Sequence, residues 1–220
     1  MRLALFDLDH TLLSGDSDVL WCDYLIEHGL LDRSWRERCE RIAERYIAGT
    51  TTPQDYCDFH ASLLNGRGVD ELLPVRRSFL DDEILPRIPD DARALLRKHR
   101  DAGDRLVLTT ATNRVVSELT AQALGVDDYV PTEVEVVDGR YTGRTSGTPN
   151  LRIGKVERLR AWAAACGLPD GVLRQATFYS DSINDLPLFS VVRHPVVVDP
   201  DLRLASTAMR KGWTVLRLRR

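Results

Sequence analysis

The sequence predicts an α/β fold, a doubly wound parallel sheet with an inserted all-helical unit, and three observations predict it. From Arg105 onward short apolar runs alternate with amphipathic stretches, the pattern of strands covered on both faces by crossover helices. The stretch from Ser14 to about Arg87 breaks that alternation, with helical periodicity and no convincing strand. Leu3-Ala4-Leu5-Phe6 is an apolar run that ends on Asp7-Leu8-Asp9, so the first strand delivers two carboxylates to one edge of the sheet. Sheets of this kind carry their sites at the carboxyl ends of the strands.

The insert reads as four helices, roughly 18–28, 34–48, 53–64 and 69–84, split at Gly29, Gly49 and the Gly66/Gly68 pair. Val19, Leu20, Tyr24 and Leu25 make one apolar stripe, and Leu72, Leu73, Val75, Phe79 and Leu80 another. Pro86 and Pro89 mark the return to the core. A helix over 90–102 stopped by Gly103 leads into the strand Leu106 to Thr110, and a second helix runs from Arg114 to Gly125. Val134 to Tyr141 is a hairpin turning on Asp138-Gly139. Lys155 to Cys166 is helical, with Val156, Leu159, Trp162 and Ala163 on one face. The strand Ala176 to Tyr179, a short helix from Ser182 to Phe189, the strand Pro195 to Val198, a helix over 201–211 and the strand Trp213 to Leu216 complete the series. The division expected is a core of residues 1–14 and 87–220 with a helical unit over 15–86.

At 220 residues and 43% apolar content the chain can bury one good core plus an insert, and its net charge of −3 is that of an ordinary water-soluble protein. The one basic block, Arg217-Leu218-Arg219-Arg220, reads as a surface tail, so nucleic acid is not an expected partner. No apolar stretch approaches a membrane span, and the N-terminal run meets Asp7 too early for a signal peptide, which makes the cytoplasm the expected location. Cys22, Cys39, Cys57 and Cys166 are widely spaced and fit reduced packing thiols better than disulfides or zinc.

Two converging carboxylates repel and lose hydration unless a cation or shared proton compensates, which points Asp7 and Asp9 toward a hard-metal site. For Asp-x-Asp alone a solvated surface turn is the better reading, and what overturns it lies further along the chain. Thr110 ends the second strand and Asp181 a later one. Asp185 follows Asp181 by one helical turn, and Lys155 opens a helix at the same sheet edge. Each has an ordinary explanation by itself: a helix-start lysine, capping acids, a strand hydroxyl. Gly154-Lys155 also suggests a phosphate-binding Walker loop, but Pro149 and Val156 occupy positions that loop needs for Gly and Ser/Thr.

Asp7-Leu8-Asp9-His10-Thr11-Leu12, Thr110-Ala111-Thr112, Gly154-Lys155 and Ser180-Asp181-Ser182-Ile183-Asn184-Asp185 stand in that order, each at a strand end or helix start. Together they resemble the four motifs of the haloacid dehalogenase superfamily of phosphatases, in the branch with a helical cap inserted after the first motif, as in phosphoserine phosphatase. Ser180 stands where glycine is usual and Thr110 where serine is commoner; neither change removes a needed group. The resemblance implies a Rossmann-like core with Asp7 as nucleophile, forming an aspartyl-phosphate, and Asp9 as general acid and base, holding a proton near neutral pH. It implies Mg²⁺ on carboxylate oxygens of Asp7 and Asp181 and the backbone carbonyl of Asp9, with Asp185 orienting that shell. The Thr110 hydroxyl and the Ala111 N–H would hold phosphate, and Lys155 would balance charge. His10 is expected to bond locally.

In the phosphoserine phosphatases this chain resembles, an acidic residue after the first motif receives the substrate ammonium and a cap arginine its carboxylate. Asp16 matches the first position, where it could equally cap a helix, and His60 aligns with the second. Histidine is a poor carboxylate receptor beside a guanidinium, which favours a small phosphorylated amine without a carboxylate. Histidinol phosphate is the leading expectation. Phosphoserine is the alternative, with Arg67, Arg76 or Arg77 as substitutes for the receptor. Two further readings are a phosphotransferase and a phospho-receiver signalling module; the roughly 70-residue insert argues against the latter. The oligomeric state is not set by the sequence.

Overall fold

The computed structural model describes residues 2–218; Arg219 and Arg220 of the basic terminus lie outside them. Strand β1 (Leu3–Phe6) is followed by four helices, α1 (Ser17–Glu27), α2 (Ser34–Ile47), α3 (Pro53–Ser62) and α4 (Val69–Phe79). The chain returns through α5 (Asp90–Asp101), β2 (Arg105–Asn113), α6 (Arg114–Leu124) and β3 (Asp128–Thr132). A hairpin of β4 (Val134–Val137) and β5 (Arg140–Thr145) precedes α7 (Ile153–Ala165) and β6 (Thr177–Ser180). The last elements are α8 (Leu186–Phe189), β7 (His194–Val198), α9 (Leu202–Lys211) and β8 (Thr214–Leu216).

Six strands form one sheet in the order β3-β2-β1-β6-β7-β8, and every neighbouring pair is parallel. The order reverses direction at β1, so the open crevice between β2, β1 and β6 is where a site belongs. Alternation along β1 divides the interior into two layers: Ala4 and Phe6 join the layer shared with α1, α4, α5 and α6, Leu3 and Leu5 the layer with α7, α8 and α9. Both faces are covered, and all four residues of β1 are buried.

The helices between β1 and β2 pack on the first of these layers. The Trp21 ring meets Phe79 edge-on at 4.9 Å and Tyr24 meets it at 5.4 Å, joining α1 to α4. Burying such rings contributes about 1.5–3 kcal/mol each. That contact sets the buried face of α1, and Val19, expected in the apolar stripe, is 47% exposed instead. Arg76 of α4 donates to the Val115 carbonyl at 2.6 Å and to Glu118 at 2.8 Å, fastening α4 to α6. Cys22 and Cys39 bring their sulfurs within 3.0 Å between α1 and α2; all four cysteines are free thiols, and only Cys166 among them is exposed.

Several boundaries differ from expectation for local reasons. Helix α4 stops at Phe79 and gives way to a π-turn over Leu80–Ile84, where the Leu85 N–H reaches back to the Leu80 carbonyl. Strand β2 runs past Thr110 to Asn113, with a register shift against β3 between Thr109 and Asn113. The expected helix from Ser182 becomes a short 3₁₀ turn over Ile183–Asp185 and then α8, with Pro187 in its first turn, where the missing N–H costs nothing. Helix α7 begins two residues before Lys155. The hairpin turns at Asp138 and Gly139, with φ of 49° and 73°, as a two-residue turn matched to strand twist requires. Among the described residues no helix is long and apolar enough to cross a membrane.

Candidate active site

Strand β1 ends at Phe6, so Asp7 and Asp9 lie in the tight turn beyond it rather than in the strand itself. The Asp7 N–H still donates to the Tyr179 carbonyl of β6 at 2.9 Å, and the Leu8 carbonyl then accepts from the N–H groups of Thr11, Leu12 and Leu13. That coil points Asp7 into the crevice. Lys155 Nζ sits 3.0 Å from Asp7 Oδ1 and 2.9 Å from Asp185 Oδ2. Ser180 Oγ donates to the same Asp185 oxygen at 2.7 Å, so the serine that replaces the usual glycine fixes the carboxylate holding the lysine. Gly154 allows the start of α7 to close on Pro149: a Cβ there would come within 2.2 Å of the Pro149 carbonyl oxygen. A side chain at 154 would push the start of α7, and Lys155 with it, away from Pro149.

Asp9 is held by two donors, the Ser17 N–H to Oδ1 at 2.7 Å and the Thr112 hydroxyl to Oδ2 at 2.7 Å. The end of β2 bearing Thr110, Ala111 and Thr112 is supported from below by Asn150, which is fully buried. Its amide nitrogen lies 2.9 Å from both Thr109 Oγ1 and the Thr110 carbonyl. Thr110 Oγ1 accepts from the Thr112 N–H at 3.1 Å and keeps its own proton available. Asp181 is positioned by Thr11, whose hydroxyl donates to Oδ1 at 3.1 Å and accepts from the Asp181 N–H at 3.0 Å.

Charge in this crevice is one-sided. Burial pushes the Asp7 carboxyl well above the usual carboxylate range; Lys155 opposes the rise, and Asp185, Asp181 and Asp9 add to it. Burial likewise raises Asp181, to about 6. Burial works against the Lys155 ammonium, yet Asp185 and Asp7 outweigh it and hold its pKa above that of an ordinary lysine. Asp185 Oδ1 is buried without a hydrogen-bond partner. Four carboxyls with one ammonium, all offering hard oxygen, fit a divalent hard cation. Among the described residues no three His, Cys, Asp or Glu side chains are arranged to hold a metal by themselves. A cation here would therefore also draw on backbone, phosphate or water oxygen.

The crevice continues toward the helices as a cavity of about 170 Å³, whose far half is lined by Asp16 and Asp18 of the α1 start, Tyr46 of α2 and Tyr56 of α3. Asp16 caps α1: its Oδ1 accepts from the Asp18 and Val19 N–H groups at 3.0 and 3.1 Å. It lines the cavity as well. Burial, with Asp9 and Asp18 nearby, pushes Asp16 up to about 6; burial and the charge of Asp9 push Asp18 up to about 8. His60 does not reach the lining. It lies behind Asp18, with Nδ1 3.9 Å from Asp18 Oδ2, and burial pushes its pKa down to about 4. Arg152, at φ 54°, holds its guanidinium 4.7 Å over the Tyr46 ring and donates to Asn184 at 3.3 Å, linking α2 to the loop before α8.

The structure thus brings Asp7, Asp9, Thr110, Ala111, Lys155, Asp181, Asp185 and Asp16 to one cavity, and leaves His60 one residue removed from it. None of the arginines considered as carboxylate receptors is there: Arg67 donates to the Leu30 and Leu63 carbonyls, Arg76 is engaged by α6, and Arg77 is exposed on α4. Asp18, Tyr46, Tyr56, Ser17 and Asn150 join or support the site without a motif in the sequence to mark them. Only Asp18 carried a signal, its closeness to Asp16. His10 lines the cavity at φ 53°.

The sequence profile of the haloacid dehalogenase-like hydrolases matches residues 4–190. A histidinol-phosphatase of Neisseria meningitidis serogroup C (strain 8013) is 38% identical over 217 residues, covering 98% of this chain and 98% of the relative. A phosphoserine phosphatase of Mycobacterium tuberculosis is 34% identical over 216 residues, 96% of this chain and 69% of the relative. A solved protein of unknown function from Bordetella pertussis Tohama I superposes with a TM-score of 0.93 at 41% identity, covering 98% of this chain and 97% of that one. A substrate-bound phosphoserine phosphatase shares the fold, with a TM-score of 0.69 at 18% identity over 93% of this chain and 89% of that one.

Proposed function

The chain belongs to the haloacid dehalogenase-like hydrolase family and is a phosphatase, and we propose that it hydrolyses histidinol phosphate through an aspartyl-phosphate with Mg²⁺ as cofactor. The observation that carries the substrate reading is the far half of the cavity, where Asp16 and Asp18 stand beside Tyr46 and Tyr56, while Lys155, the one lysine or arginine of the lining, is engaged by Asp7 and Asp185. An ammonium is favoured there because it lets the two buried carboxyls ionise, whereas the carboxylate of phosphoserine would meet Asp16 without a cationic receptor. The name of the Neisseria relative, matched over nearly its whole length, supports the same choice.

In this reading an Asp7 oxygen attacks phosphorus, the phosphorus–oxygen bond to the substrate breaks, and Asp9 gives its proton to the departing alkoxide. Asp9 then takes a proton from water, whose oxygen attacks phosphorus and releases orthophosphate and free Asp7. Ser17 and Thr112 orient Asp9 through both steps. Lys155 holds Asp7 and compensates phosphate charge, while the Thr110 hydroxyl and the Ala111 N–H bind phosphate oxygens. Asp7, Asp181 and the Asp9 carbonyl would hold Mg²⁺, which would supply the positive charge that lets phosphate and carboxylate meet. Residues 15–86 act as a cap that closes the cavity over the amine, on a core of residues 1–14 and 87–220.

The test is phosphate release from histidinol phosphate and phosphoserine at equal concentration, with Mg²⁺ and with a chelator. Histidinol phosphate is expected to react faster, and only with the metal. A higher specificity constant for phosphoserine overturns the substrate reading.

A further inference from the structure

We infer that Asp18 receives a second basic nitrogen of the substrate, so that the cavity takes a phosphomonoester bearing two basic nitrogens, one on each carboxyl of the far half. The inference rests on the proposed function and extends it from the amine to the rest of the molecule.

Asp16 and Asp18 are not equivalent. The Asp16 carboxylate is already engaged by two backbone N–H groups at the start of α1. Burial and the charge of Asp9 act on Asp18 with no hydrogen-bond donor to offset them, although it lines the cavity. Behind it stands His60, 6% exposed, with both ring nitrogens buried and unpartnered. A buried polar ring left wholly unpaired costs free energy, and Asp18 Oδ2, at 3.9 Å, is the acidic oxygen its Nδ1 faces. His60 is neutral, so it supplies no charge to Asp18. Arg152 stands over the Tyr46 ring but is not part of the lining, so the positive group that Asp18 lacks is left to the ligand.

The walls specify the shape of that group. The Tyr56 ring lies 4.7 Å from His60, edge-on, and 4.5 Å from Tyr46, and both tyrosines line the cavity beside the two acids. Aromatic faces next to a carboxyl suit a flat cationic or N–H-bearing ring, which can stack on one and donate to the other. An imidazole meets both demands. Its N–H would donate to Asp18, whose other side His60 can then support by closing the remaining gap. Phosphate at Asp7, ammonium at Asp16 and ring nitrogen at Asp18 place three groups of one substrate along one cavity.

The discriminating probe is 2-amino-3-phenylpropyl phosphate, which keeps the phosphate, the ammonium and a flat ring but has no ring nitrogen. The wild-type protein is expected to favour histidinol phosphate over this analogue by about tenfold or more in kcat/KM, mostly through KM. In Asp18→Asn the ratio should collapse toward one; taken on one preparation, it does not depend on the fraction folded. Equal specificity constants in the wild type, or an unchanged ratio in the variant, overturn the inference. If both amines still outpace phosphoserine in that case, the proposed function stands without it; if phosphoserine outpaces both, reading and inference fall together. A second measurement needs no variant: free histidinol should inhibit the wild type at a concentration about tenfold lower than 2-amino-3-phenylpropanol. Equal inhibition also overturns the assignment of Asp18.

Discussion

The Thr112 hydroxyl donates to Asp9 Oδ2 at 2.7 Å, across 103 residues of sequence, and Ser17 Oγ lies 3.0 Å from the same hydroxyl oxygen. Because the single Thr112 proton goes to Asp9, Ser17 is the donor of the second bond. One carboxylate is thus positioned jointly by the end of β2 and the start of α1, the core and the insert together.

Removing that hydroxyl while keeping the side-chain shape should loosen Asp9 without emptying the pocket. Thr112→Val is expected to lower kcat about ten- to hundredfold, the worth of a hydrogen bond to a charged group, with a smaller change in KM. Thr112→Ser should restore most of the loss. Steady-state kinetics on one substrate checks both, and an undiminished kcat in the valine variant would show that Asp9 needs no such support.

Asp7→Asn keeps the size of the side chain and, in the proposed mechanism, removes the attacking oxyanion. Turnover should fall by about a thousandfold or more. The folded protein should be as stable as the wild type or more so, since Asp185, Asp181 and Asp9 all crowd Asp7 and Lys155 keeps Asp185 as partner. Thermal unfolding beside a turnover assay reads both outcomes; near-normal turnover would exclude a covalent role for Asp7.

Chelation should abolish activity and Mg²⁺ should restore it. Asp181→Ala should raise the Mg²⁺ concentration for half-maximal rate by roughly tenfold or more. Asp185, whose Oδ2 is occupied by Lys155 and Ser180, should behave differently: Asp185→Ala should lower kcat more than it shifts the Mg²⁺ requirement. A Mg²⁺ titration of each variant separates the two roles. Full activity in chelator would remove the metal from the mechanism.

Asp18 makes the stability of the protein pH-dependent. Its carboxyl is pushed up to about 8 in the folded chain, so the folded state holds the proton more tightly than the unfolded one. The stabilisation this gives is present in full below about pH 4 and is lost as pH rises toward 8. Asp18→Asn cannot lose a proton. Relative to the wild type it should melt no higher near pH 4 and several degrees higher at and above pH 8, in metal-free buffer. A difference that does not grow with pH would mean that Asp18 is ionised without penalty.

The parallel sheet, the strandless insert and the carboxylates at the end of β1 were legible because each leaves a local signature. Buried strands read as short apolar runs, helices as 3.6-residue stripes, and a site residue at a strand end as a polar break in such a run. The boundaries that shifted are those where a neighbour in space overrides the local pattern. Trp21 and Tyr24 meet Phe79 and turn α1 so that Val19 faces outward. The register shift against β3 goes with the extension of β2 beyond Thr110.

What the sequence by itself determined is the order of the four motifs and the chemistry their side chains can perform, since residue type and spacing along a strand or helix are enough for that. Only the tertiary structure decided which partners orient them. Asn150 beneath Thr110, Thr112 on Asp9 and Ser180 on Asp185 are ordinary polar residues until folding removes water and leaves each with particular partners. The character of the far half of the cavity was decided in the same way. His60 aligned with a carboxylate receptor, but the fold sets Asp18 in front of it and engages Arg67 and Arg76 elsewhere. Charge selectivity comes from which groups share one desolvated space, and that is settled by packing between helices far apart in the chain.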